Sequence, residues 1–382
     1  MKNLNRISQE DSFLAETACH LIRKVIAPSY QMPLDKIKTV DWRKLRSFAT
    51  RQGVSAFVFD AVSELPEGIR PEREALLQWI GSVLMQEANY KRHASAISEL
   101  SAFYASHGIK MMLLKGWGLS LNYPHPNHRP TGDMDIWLYG DQAKGDEFLE
   151  AEKGIHPIKS SHHTVFTFNG VEVENHITFI ETDCHKPDGS EELLLKYATT
   201  EPALEVAGIN GNKILLPSVN LNAYFLLRHS SAHFATENIT LRHLLDWALF
   251  VEKYHNDIDW DALYANAKDK NIHIFLDCQN AICVDKFGFP QKHFPVRANH
   301  PELEERIFKD ILFPEFRSKA PGMRQNFAKY CYVKTKRHFA NKWKYDITYK
   351  ENFLSILFRF ARNRVKSPYT YGDLAKLNTT LK

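Results

Sequence analysis

No stretch of this chain approaches the roughly 18 consecutive apolar residues that a membrane span requires. The N-terminus, MKNLNRISQEDSFLAE, lacks the apolar core of a secretion signal. Cysteine is scarce: Cys19, Cys184, Cys278, Cys283 and Cys331 are odd in number, scattered, and never spaced as CxxC. That argues against a disulfide framework and against a structural zinc site, and it fits reduced thiols. Neither sign of charge dominates, since 49 basic residues against 45 acidic ones leave a net charge of +4, so no global field marks a polyanion partner. Solenoid-period repeats and low-complexity tracts are missing too. These absences together predict a soluble, cytoplasmic protein with no membrane partner.

What is present is enough apolar matter for two or three cored domains, 44% of 382 residues. Apolar spacing predicts helices over 11–26 and 41–48, then one long amphipathic helix from about Pro71 to His107, stopped by Gly108. It leads into a strand at 110–114. Gly140-Asp141 caps a further helix through Glu152. Two alternating runs, 163–168 and 171–179, flank Asn169-Gly170, the strongest short hairpin signal. Beyond Pro217 the pattern turns helical over 219–234, 240–254, 260–269 and 272–287. The reading is an α+β fold: a small mixed β-sheet core flanked by helices, then a largely helical C-terminal half. The expected division is 1–72 helical, 73–200 core, 201–300 helical, and 301–382 basic, aromatic and helical.

The segment from Lys115 to Tyr139 carries the most chemistry. A Lys115-Gly116 turn and a loop rich in Pro, Asn and His precede Asp133-Met134-Asp135-Ile136, whose period of two places both aspartates on one strand face. Two adjacent carboxylates repel unless a cation sits between them, and oxygen ligands at this spacing suit Mg²⁺ or Mn²⁺. On the second hairpin strand Glu172, Glu174 and His176 share a face, so either glutamate can supply a third acid. His162 and His163 read as surface or sheet-edge residues. His229 with His233, and Arg242 with Asp246, are spaced one helical turn apart and read as interhelical polar contacts or as a cleft wall. From Pro314 to Lys366, bases from Arg317 to Lys366 interleave with rings such as Phe327, Tyr330, Tyr332, Phe339, Trp343, Tyr345 and Phe358. Alternating bases and rings can grip single-stranded nucleic acid, although helical faces with core aromatics give the same pattern.

Across residues 95–275 the order of motifs resembles the uncharacterised nucleotidyltransferase family of the DNA polymerase beta-like superfamily. The resemblance rests on Leu114-Lys115-Gly116 with Leu119 and Tyr123, on Arg129-Pro130 before Asp133-Met134-Asp135-Ile136, and on Val173-Glu174-Asn175-His176. It continues through His229-Ser230-Ser231-Ala232-His233 and Leu241-Arg242-His243-Leu244-Leu245-Asp246-Trp247. It implies metal-dependent transfer of a nucleoside monophosphate from a nucleoside triphosphate to an acceptor hydroxyl on a small molecule, a protein or RNA. Asp133, Asp135 and Glu174 would be the catalytic acids and hold metal, Gly116 would admit the triphosphate, and Lys115 and Arg129 would neutralise it; in the empty state Arg129 would pair with Asp133 or Asp135. The chain departs from the family where Trp117-Gly118 follows the first glycine in place of Gly-Ser or Gly-Gly-Thr. Ser120 or Thr131 would then have to supply the hydroxyl facing the phosphates. An inactive nucleotide-binding module and a nucleic-acid-binding protein are the alternatives.

Overall fold

The structure, a computed structural model, describes residues 7–160, 162–180, 185–316 and 326–366. Seven strands form one mixed sheet: β1 (Met112–Leu113), β2 (Met134–Trp137), β3 (Ile158–Lys159), β4 (His163–Phe168), β5 (Val171–His176), β6 (Leu204–Ala207) and β7 (Lys213–Leu216). Their order across the sheet is β3-β4-β5-β2-β1-β7-β6. β2 runs parallel to β5, and β1 parallel to β7, while the other neighbours are antiparallel. The hairpin turn lies where the Asn-Gly signal puts it, with both Asn169 (φ 49°) and Gly170 (φ 73°) left-handed.

Alternation along the strands sorts the two faces. Met134, Ile136, Leu138, Val171 and Val173 pack in one core with Ala94, Ile97, Leu100 and Tyr104 of the helix Arg73–Ser106 and Leu149 of the helix Gln142–Lys153. Met112, Leu114 and Trp137 point the other way, into a larger core shared with the N-terminal helices and the helical C-terminal half. Asp135, Glu174 and His176 share that second face, so the acids look toward the helices Val219–Thr236 and Leu241–Tyr254 across a cleft.

Two features differ from the sequence reading. The sheet runs past residue 200, because β6 and β7 complete it on the far side of β1. β7 finds its partner β1 about a hundred residues away, a pairing that local pattern does not show. The basic aromatic region is also less uniform than its pattern. Lys344 is fully buried against Asp310, and Tyr330 and Tyr345 are buried, whereas Tyr332, Phe339 and Phe358 are exposed. Arg317, Lys319, Arg324 and Cys184, and the side chains of Phe327, Arg364 and Lys366, lie outside the described residues. The four described cysteines are free, and no helix among the described residues is long and apolar enough to cross a membrane.

Candidate functional site

The parallel pairing of β2 with β5 sets Asp135 opposite Glu174. Donor atoms of Asp135, Glu174 and His176 all lie within 4.8 Å of one another, a grouping able to hold a metal ion. Lys115, one residue beyond the Leu114 amide that bonds the Asp135 carbonyl (3.0 Å), places its Nζ 2.7 Å from Asp135 Oδ1. Next, Gly116 turns the chain with φ 63° and ψ −114°, and a Cβ there would meet the Asp133 carbonyl oxygen at 3.4 Å. Any side-chain-bearing residue would be strained in that turn.

Asp135 is 1% exposed, and a carboxylate so buried must be paired. His176 donates through Nε2 to Asp135 Oδ1 (3.0 Å) and through Nδ1 to the Thr178 carbonyl (3.1 Å), and its Nε2 lies 3.6 Å from Glu174. Both hydrogen-bonded partners only accept, so the ring carries both protons. Burial works against that charge, but Asp135 and Glu174 carry the pKa up to about 9. For Asp135 burial pushes upward, and Lys115 and His176 more than reverse it, holding the carboxyl below its ordinary range. Glu174 is lowered too, its burial outweighed by His176, while Lys115 is raised despite burial because Asp135 and Asp133 face it. Asp133 goes the other way: burial and the Asp135 charge raise it.

The loop that delivers Asp133 is braced by the long helix. Asn89 Nδ2 donates to Thr131 at both its carbonyl and its Oγ1 (3.1 Å each), and His93 bonds the Gly132 carbonyl (2.7 Å). Arg129, on the same loop, is engaged elsewhere than with Asp133 or Asp135. Its Nε and Nη2 donate to the two oxygens of Asp246 (2.7 and 2.9 Å), and Nη1 donates to the Pro130 carbonyl (3.1 Å). Tyr123 donates its hydroxyl to Asp246 as well (2.7 Å). All three guanidinium nitrogens are thus committed, fixing the loop to the helical half.

Lys115, Gly116, Arg129, Asp133, Asp135 and Glu174 all line one cleft of about 590 Å³. Asp133 stands on its wall but outside the close group of three, a place His176 takes instead. Glu172 is exposed and does not line the cleft. Ser120 is fully buried, its hydroxyl donating to the Trp117 carbonyl and facing the Tyr90 hydroxyl, so it turns away from any phosphate, and Thr131 Oγ1 faces Asn89. Trp117 stacks on Tyr90, ring centres 6.1 Å apart. His162 and His163, which read from the sequence as surface or sheet-edge residues, both line the cleft, and His163 is 4% exposed because the helical half covers that end of the sheet. Burial, the largest influence, lowers both imidazoles, that of His162 to about 3.

The opposite wall holds His229, His233, Arg242 and Asp246, with Arg228, Lys334 and Arg337. Sequence reasoning passes over Arg228; its one signal is a lone base at the end of the apolar run Tyr224-Phe225-Leu226-Leu227. A family model described as an uncharacterised nucleotidyltransferase matches residues 38–287. No curated protein matches the sequence. Among solved structures, an antigenic nucleotidyltransferase-like protein from Paracoccidioides brasiliensis aligns at 15% identity with a TM-score of 0.30, over 45% of this chain and 85% of that one, a likeness too slight to carry an argument.

Proposed function

Because the chain belongs to the uncharacterised nucleotidyltransferase family, we propose that it moves a nucleoside monophosphate from a nucleoside triphosphate to an acceptor hydroxyl with the help of a divalent cation. The observation that carries this reading is the register of β2 and β5, which sets Asp135 beside Glu174 and gathers their oxygens with the His176 ring inside 4.8 Å. The donor set suits the group: Asp135 and Glu174, with Asp133 on the same wall, offer the carboxylate oxygens that Mg²⁺ or Mn²⁺ takes. A cation bound there supplies charge neutralisation at the phosphates and a lower pKa for the attacking hydroxyl.

The chain's own groups do the rest by position. Gly116 brings the backbone close to the cleft floor, where a triphosphate can lie against it. Lys115, once exchanged from Asp135, carries its charge to a phosphate oxygen. Arg129 acts through Asp246, holding the loop of Asp133 rather than the phosphates. The test is release of pyrophosphate from labelled nucleoside triphosphates with Mg²⁺ or Mn²⁺. Release that persists in Asp135→Ala and Glu174→Ala would sink the proposal.

One observation favours a second reading, a module that binds nucleotide without turnover. Lys115 and His176 already neutralise Asp135, and no hydroxyl follows Gly116. Nucleotide binding without pyrophosphate release, in either metal, identifies that case. RNA as the acceptor draws support from the exposed rings of Tyr332, Phe339 and Phe358 among basic residues. Its mark would be binding that weakens steeply as salt rises.

A further inference from the structure

Two parts of the cleft lining differ in chemistry. At one, Lys115 faces Asp133, Asp135 and Glu174. At the other, Arg228 of the helix Val219–Thr236 is 5% exposed, with the Tyr349 ring 4.7 Å from its guanidinium carbon. The nearest carboxylate, Asp188, stands 3.8 Å from Nη2, beyond hydrogen-bond reach, and spends its own Oδ1 on the Ser190 amide. By geometry Arg228 Nε and Nη1 have no hydrogen-bond partner among the described residues, while the neighbouring Tyr349 and Asp188 side chains favour its charge against burial. A buried guanidinium with two nitrogens unbonded is costly unless an anion arrives to accept from them. Lys334 and Arg337, from the helix Phe327–Ala340, line the same cleft, opposed there by Glu237. Two buried cleft-lining amides, Gln279 and Asn341, each leave a carbonyl oxygen without a partner, ready to accept from hydroxyl groups.

We infer that this part of the cleft is the acceptor pocket and that its ligand is a small hydroxylated phosphomonoester, its terminal phosphate taken by Arg228 with Lys334 and Arg337. The inference rests on the nucleotidyl-transfer reading, which leaves the acidic part to the triphosphate and cation. A single buried fork inside a cleft suits one terminal phosphate better than a repeating backbone. Lys334 and Arg337 also lie beyond the matched residues 38–287, so acceptor choice would be set by a part of the chain that the family model does not cover.

Calorimetry on the full chain, with glycerol 3-phosphate, inorganic phosphate, glycerol and acetate as probes, tests the pocket. Both phosphates should bind, glycerol 3-phosphate the more tightly, with or without a saturating Mg²⁺ complex of a non-hydrolysable triphosphate. Arg228→Gln should weaken glycerol 3-phosphate at least tenfold, and Arg228→Lys should recover part of the loss. If Arg228→Gln does not fold, the double change Lys334→Gln with Arg337→Gln, at half-buried positions, should still weaken it severalfold. Phosphate binding that competes with the triphosphate and ignores these changes overturns the pocket while leaving nucleotidyl transfer intact. Absence of triphosphate binding removes the nucleotidyl reading but leaves phosphate capture by Arg228 to be judged by its own variants. Acetate binding as tightly as phosphate, or a 5′-phosphorylated oligonucleotide outcompeting glycerol 3-phosphate through Arg228, would overturn the assigned ligand class.

Discussion

Two buried ion pairs in this molecule use the same chemistry to opposite ends. In the pair of Arg129 with Asp246, both carboxylate oxygens receive a guanidinium N–H, Tyr123 adds a third donor, and the remaining nitrogen bonds a carbonyl. In the cluster around Asp135, Lys115 and His176 converge on one oxygen, Glu174 stands by, and the whole borders the cleft. The first is closed and satisfied; the second holds charges that can change partners. Both pairs are buried and both line the cleft, so neither burial nor cleft access alone marks a reactive carboxylate. Donors that can be given up do.

The largest effect that would separate the two is on turnover. Asp135→Asn should bring pyrophosphate release to background, measured with labelled triphosphate, while the protein still folds. Asp246→Asn should act on stability instead: an uncompensated Arg129 costs about 3–5 kcal/mol, read as a lower urea midpoint at unchanged slope. If Asp135→Asn proved the more destabilising of the two, the contrast between an exchangeable cluster and a structural clamp would be broken.

Acid and alkali should also tell them apart in chelator-treated protein. His176 is raised to about 9 in the fold, above the usual histidine value, so its contribution is whole below about 6.5 and is lost as pH climbs through 9. Asp246 is lowered, Arg129 outweighing its burial, so its share is present above the ordinary aspartate pKa and lost as pH falls through its own. Urea midpoints across pH should show the alkaline loss vanish in His176→Gln and the acid loss shrink in Asp246→Asn. A smaller effect is expected of Lys115→Met. With its competitor gone, Asp135 should bind Mn²⁺ more tightly by calorimetry, whereas unchanged affinity would mean Lys115 does not contend for that oxygen. Glu172→Gln should do least, shifting stability within about 0.5 kcal/mol and leaving turnover alone.

Local chemistry was readable in the sequence, and distant chemistry was not. Asn169-Gly170 determines its hairpin by backbone preference alone, and the alternation at 133–138 sets the face of Asp135, so both stood out in the chain. The partner of each charge did not. Nothing near Arg129 points to Asp246 on a helix well over a hundred residues away. Same-face geometry does not separate Glu172 from Glu174, which only the family resemblance favours, whereas the pairing of β2 with β5 puts Glu174 alone of the two in the cleft. The hydroxyls proposed to replace the missing family serine were misjudged for the same reason: Ser120 is on the right segment but turned inward to Tyr90. Arg228 stayed unseen because its meaning depends on two unbonded guanidinium nitrogens, and sequence carries no record of what a donor fails to meet.

β1 has two residues, yet it lies between β2 and β7, and its partner on the second side, Leu215, comes only after the hairpin and the whole of β6. During synthesis the strand that leads into Lys115 must therefore wait with one edge open while a long stretch of chain emerges. Non-local pairing of this sort closes slowly, and an open edge invites other chains. A fragment ending before Leu215 would hold every acid of the cluster and still lack half the support of the two-residue strand beside them, so it should aggregate rather than fold to a smaller version of the site.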